Sequence, residues 1–78
     1  MNLREYNEFY NKMKLLIGTS RKNQRVARAV YMKPSFYKEF NRAYQSFVAK
    51  GENRKIVSVE GVPIVLKDFG QDYMIDEA

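Results

Sequence analysis

Apolar residues fall at Leu3, Tyr6, Phe9, Tyr10, Met13, Leu16 and Ile17, with polar residues filling the gaps. Steps of three and one keep a single face of a 3.6-residue period apolar, which predicts an amphipathic helix over about 3–17. Asn2 suits the N-cap, and Glu5 stands three residues on, as a capping box requires. Gly18 follows the last apolar pair, where a left-handed residue closes many helices. Thr19 to Arg25 is polar, basic and without period, and reads as a loop. Val26 to Met32 is rich in strand formers. Arg28 breaks its apolar side, so the strand starts either at Val26 or only at Ala29.

Pro34 opens a second helix, since proline suits the first turn. Its apolar positions are Phe36, Tyr37, Phe40, Ala43, Tyr44, Phe47 and Val48, and Gly51 supplies the stop. The period then shifts to two. Ile56–Val59 and Val62–Leu66 flank Glu60-Gly61, a pair suited to a tight hairpin turn. Pro63 cannot donate to a ladder, which places it at a strand start or on an edge, a candidate site for strand pairing with a partner. Tyr73–Ile75 adds a short further strand, and residues 76–78 should fray. The order predicts a single α+β domain over residues 1–78, with two helices on one face of a three- or four-stranded, mostly antiparallel sheet. The strand near Ala29 either pairs with the hairpin or stands at an edge.

Charge changes this picture most. Between Lys12 and Lys55 twelve bases face two acids, a formal +10. From Ile56 onward one base faces five acids, a formal −4, and the whole chain carries +5. A +10 segment in a small domain projects a positive field, so polyanions are the first partners to consider. The chain has no histidine and no cysteine. That removes the commonest general base, thiol chemistry and Cys-based zinc sites, and points to a non-enzymatic protein without metal or cofactor. The acids Asp68, Asp72, Asp76 and Glu77 read as a solvated tail that balances basic neighbours. No apolar run approaches the length of a membrane span. The chain reads as complete, unprocessed and cytoplasmic.

The candidate site is the basic loop over 19–28. Arg21, Lys22, Arg25 and Arg28 lie within eight residues, among hydroxyl and amide donors suited to phosphate oxygens. Lys12, Lys14 and Arg42 support it if they share its side, and Lys33 and Lys38 would extend it. The expected partner is nucleic acid, bound with low sequence specificity, or else an acidic protein surface. The competing reading is an ordinary solvated loop. Most aromatic residues fall on core faces, with Tyr31 and Phe69 as exceptions. A stripe left exposed would suit a homodimer. The nucleic-acid expectation requires the cations to gather on one exterior side, unpaired with carboxylates.

Val30-Tyr31-Met32-Lys33-Pro34, the helix over Phe36 to Val48, and Gly61-Val62-Pro63-Ile64-Val65 together form a strand–helix–hairpin pattern. This pattern resembles one in tailed-bacteriophage proteins of the HK97 type. It covers 29–75, a little over half of the chain. The chain is much too short for a capsid subunit, and it lacks the acidic leader and long spine helix of that family. The resemblance implies a small phage-encoded protein acting in the cytoplasm of a bacterial host. It is either a nucleic-acid binder or an interaction module, such as a virion accessory protein or an inhibitor of a host enzyme.

Overall fold

The computed structural model describes all 78 residues. Helix α1, Leu3–Lys22, begins with the expected capping box. The Glu5 N–H donates to Asn2 Oδ1 at 2.8 Å, and the Asn2 N–H donates to Glu5 Oε1 at 3.1 Å. The helix does not stop at Gly18. Its buried stripe of Tyr6, Met13 and Ile17 continues to Ser20, so one more turn packs against the domain. The left-handed residue is Gln24, with φ 61°. The Arg25 N–H reaches the Ser20 carbonyl at 2.9 Å, and the Gln24 N–H reaches the Arg21 carbonyl at 3.1 Å, a Schellman closure. Thr19 to Lys22 are therefore helical, and the expected 19–25 loop shrinks to residues 23–26.

Strand β1, Ala27–Met32, resolves the Arg28 conflict with a bulge. Ala27 lies opposite Glu77 and Ala29 opposite Asp76, so Arg28 is the extra residue. Bulging turns its side chain out of the apolar row, and Val30 and Met32 are fully buried. Helix α2, Pro34–Phe47, buries Phe36, Phe40 and Ala43. Lys50 and Gly51 follow, both left-handed, and the Gly51 N–H donates to the Gln45 carbonyl.

Strands β2 (Ser58–Val59) and β3 (Val62–Leu66) form the expected hairpin. Glu60 and Gly61 have φ values of 51° and 80°, and two positive values in a two-residue loop match the right-handed twist of the strands. Strand β4, Tyr73–Glu77, completes a sheet of order β2-β3-β1-β4. β1 is central, parallel to β3 and antiparallel to β4, and β2–β3 is antiparallel. One expectation fails here. Asp76 and Glu77 do not fray but pair with β1, and the Ala78 N–H donates to the Val26 carbonyl at 2.8 Å. Of its two expected places, Pro63 takes the strand start, second in β3, and not a sheet edge, because β3 is interior. Its pairing with β1 begins at Ile64, beyond the missing donor.

Both helices cover one face of the sheet. Met13, Ile17, Phe36 and Phe40 meet Val30, Met32, Val59 and Val62 in one core. The core is tied by rings: Tyr6 stacks on Phe40 at 4.8 Å, Phe40 on Phe36 at 5.7 Å, and Phe9 meets Phe36 edge-on at 5.0 Å. On the other face Tyr31 pairs in register with Val65 and Met74, with no helix over them. Neither helix is long and apolar enough to cross a membrane.

The extended α1 makes a prediction of opposite sign to the sequence expectation. A Cβ at Gly18 meets nothing within 4 Å, so Gly18→Ala should raise stability by about 0.5–1 kcal/mol. Gln24→Gly should stabilise by about 1 kcal/mol through relief of its left-handed backbone. Urea unfolding midpoints check both, and a lower midpoint for Gly18→Ala would mean that the helix ends there.

Candidate nucleic-acid interface

The seven cations proposed from sequence do not form one patch. Lys14, Arg21 and Lys22 come together on one flank of α1. Lys14 and Lys22 line a groove opened by Gly18, with Asn11, Leu15 and Thr19. Lys12 points elsewhere: at about 100° per residue it sits roughly 200° around the helix from Lys14. Arg42 lines a hollow with Met1 and Phe47, beside the start of α1. The C-terminal end of that helix, with Arg21 and Lys22, lies about 30 Å away along a 20-residue helix.

Arg25 and Arg28 are held by the C-terminal acids. Arg25 Nη1 lies 3.3 Å from Glu77 Oε2, and Arg28 Nη2 lies 3.3 Å from Asp76 Oδ2. Asp76 also accepts a hydrogen bond from the Tyr31 hydroxyl. These pairs are largely exposed, worth about 0–1 kcal/mol each, but they offset the positive charge of both guanidinium groups. Of the four acids, Asp76 and Glu77 thus balance basic neighbours, from within a strand, whereas Asp68 and Asp72 form no ion pair. Tyr31 lies outside the core as anticipated, half-buried, with the Lys67 ammonium 4.9 Å from its ring centre. Phe69 is also half-buried.

A second basic element, not singled out from sequence, adjoins the Lys14–Arg21 flank. Residues 54–58 run beside α2 and are fastened by three of its side chains, four positions apart. Tyr37 Oη donates to the Ile56 carbonyl at 2.9 Å, the Ile56 N–H donates to Asn41 Oδ1 at 3.0 Å, and Gln45 Nε2 donates to the Arg54 carbonyl at 3.4 Å. This seam buries Ile56 and leaves Arg54 and Lys55 exposed. Ion pairs form only at Arg4–Glu8, Arg25–Glu77 and Arg28–Asp76, so Arg54, Lys55, Lys14, Arg21 and Lys22 have no carboxylate partner.

Between α1, the end of α2 and this segment lies a cleft of about 560 Å³. Tyr6, Tyr10 and Tyr44 line it, with Asn7, Val48, Val57 and Ser58, and Arg54 and Lys55 contribute the cations. Glu60 marks where the cleft meets the Lys14–Arg21 flank. Its carboxylate accepts from the Tyr10 hydroxyl at 3.3 Å, and its carbonyl accepts from Arg21 Nη2 at 3.1 Å. Burial, reinforced by the neighbouring Tyr10 and Tyr44 phenols, pushes Tyr6 up to about 12. Burial and the Glu60 carboxylate raise Tyr10. Both phenols therefore stay neutral hydrogen-bond donors at physiological pH.

Chemically, the cleft offers rings, neutral O–H donors and two cations. Nowhere do three carboxylates converge as a metal site would require. Comparison with protein-family models, curated proteins and solved structures finds no match to this chain. Arg54-Lys55 was visible in the sequence as two more bases. Its partnership with Tyr6, Tyr10 and Tyr44 had no local signal, because about ten to fifty residues separate these positions.

The raised phenols make stability depend on alkaline pH. Tyrosine titrates near 10 when unfolded, whereas Tyr6 in the folded protein holds its proton to about 12. The folded state thus binds more protons in that window. The Tyr6 contribution is complete below about pH 10 and disappears as pH rises to about 12. Absorbance at the phenolate band should show a tyrosine that ionises only near the top of that window or on unfolding. Tyr6→Phe should remove it, and a full set of tyrosines titrating near 10 in the folded protein would contradict the burial described.

Proposed function

We propose that this protein is a small non-enzymatic binder of nucleic acid that acts through the flank of α1 facing the β2–β3 turn. Lys14, Arg21 and Lys22 form one half of that surface, and Arg54 and Lys55 extend it across the cleft. The observation that carries the reading is that none of these five cations has a carboxylate partner, while Glu60 joins their two groups by accepting from Tyr10 of the cleft and from Arg21 of the flank. Arg25, Arg28, Lys12 and Arg42 contribute at most to the general field. The role of the five is phosphate neutralisation, so sequence preference should be weak. The likeness of residues 29–75 to phage proteins fits such a role inside a bacterial cell, and a phage origin is part of the same proposal.

The test is salt-dependent binding to duplex DNA and to RNA. With Lys14, Arg21 and Lys22 all changed to Ala, the dependence of log affinity on log salt should become shallower by about 2 to 3, close to one for each phosphate no longer neutralised. An unchanged slope and affinity would remove this surface. Arg25→Ala with Arg28→Ala should change the slope much less.

One observation favours a second reading, a protein-interaction module. The sheet face bearing Tyr31, Val65 and Met74 is uncovered, with Val65 42% and Met74 41% exposed. An apolar face of this kind suits a protein partner, which in a bacterial host would be a virion component or an enzyme to be inhibited. The basic flank could serve the same purpose against an acidic protein surface. Capture from bacterial lysate with and without nuclease separates the readings. Partners that survive nuclease, and are released by Met74→Asp, favour the module.

A further inference from the structure

The cleft does more than prolong a basic surface. A duplex needs only an exposed line of cations, yet here the cations border a concavity walled by tyrosine. Tyr6 forms its floor, 4% exposed and fixed by stacking on Phe40. Tyr10 leans on Tyr6 at 6.0 Å between centroids, and Tyr44 approaches from α2. Tyr10 and Tyr44 are both half-buried, so each retains exposed surface towards the cleft. The volume of about 560 Å³ lies within the range of small-ligand sites.

Its polar groups are uncommitted. The Tyr6 and Tyr44 hydroxyls, the Asn7 amide and the Ser58 hydroxyl make no hydrogen bond to the protein, whereas the Tyr10 hydroxyl is held by Glu60. The main chain that presents Arg54 is fastened by Gln45, and Ile56 two residues on by Asn41 and Tyr37. The cations are thus set on an anchored segment rather than on a free loop, which lowers the ordering cost of binding. A ligand matching this site has a flat aromatic part, hydrogen-bonding edges and a negative charge.

We infer that this cleft holds one unpaired nucleotide of a single strand. Its base packs against Tyr10 and Tyr44, and its phosphate lies against Arg54 and Lys55. A paired base cannot enter, because its edges and faces are occupied within the stack. The inference rests on the nucleic-acid reading above and narrows it to single-stranded substrates, for which aromatic stacking is tolerant of sequence.

The test uses the whole chain and four probes: AMP, inorganic phosphate, a ten-residue oligothymidylate and a duplex of equal length. Wild type should prefer the single strand to the duplex. AMP should shift the backbone amide resonances of Asn7, Tyr10, Tyr44 and Ser58, and phosphate at equal concentration should not. Tyr44→Ala should weaken oligothymidylate binding on the order of tenfold and leave duplex affinity unchanged, with Tyr44→Phe retaining wild-type binding. Arg54→Ala with Lys55→Ala should abolish the AMP shifts. Phosphate acting as strongly as AMP would overturn the inference, as would equal losses for both polymers in Tyr44→Ala. If the triple substitution on α1 flattens the salt slope while Tyr44→Ala has no effect, the nucleic-acid reading stands and the cleft assignment falls. If AMP binds but neither polymer does, the cleft is a nucleotide site and the polymer reading falls.

Discussion

The stack of rings between the two helices is the constraint on which the structure depends. Phe40 is fully buried and lies between Tyr6 of α1 and Phe36 of α2, and Phe36 in turn meets Phe9 and Tyr73. A chain of this size buries too little surface for a second core to compensate. Losing one such ring costs about 3–5 kcal/mol, against a total stability of about 5–15 kcal/mol for proteins in general. The same stack sets the geometry of the cleft. Tyr6 belongs both to the core and to the cleft floor, so the position of the cleft follows directly from the packing of α1 on α2.

From this anchor the polar edge of α2 builds outward. Tyr37, Asn41 and Gln45 recur every four residues and satisfy backbone groups of residues 54–56 as a neighbouring strand would. A segment that otherwise has little regular structure thereby gains a fixed path. The sheet performs a related task at the other end. β4 carries Asp76 and Glu77 back to Arg28 and Arg25, so the acidic C-terminal run neutralises part of the basic middle. The charge sorting along the chain is thus partly undone in space: within the 19–28 region Arg25 and Arg28 are paired, and Arg21 and Lys22 stay free, as do Lys14 on the α1 flank and Arg54 and Lys55.

Particular residues show why some features were legible and others not. Asn2 and Glu5 lie within one turn, so their capping box is a local signal, and Glu60-Gly61 is a local turn signal. Gly18 misled because glycine ends a helix only if the chain has nothing to bury beyond it. Here Ser20 follows Ile17 into the interior, and Gln24 accepts the left-handed conformation instead. Arg28 presented a true conflict between strand period and charge. Its resolution, a bulge opposite Asp76 and Glu77, needed a strand some fifty residues away. The acidic tail looked frayed because its three residues carry no apolar pattern, but β1 supplied the hydrogen bonds that ordered them.

The two amphipathic helices, the hairpin, the α+β class and the lack of histidine and cysteine chemistry were all written in the order of residues. Each follows from periodicity, turn stereochemistry or composition, which act over a few residues or over the whole chain. The strand order, the parallel β1–β3 pair, the choice of which cations stay unpaired and the tyrosine cleft came from the folded arrangement alone. These depend on side chains brought together from distant positions, and no local rule of spacing records which surfaces will meet when a thin core closes.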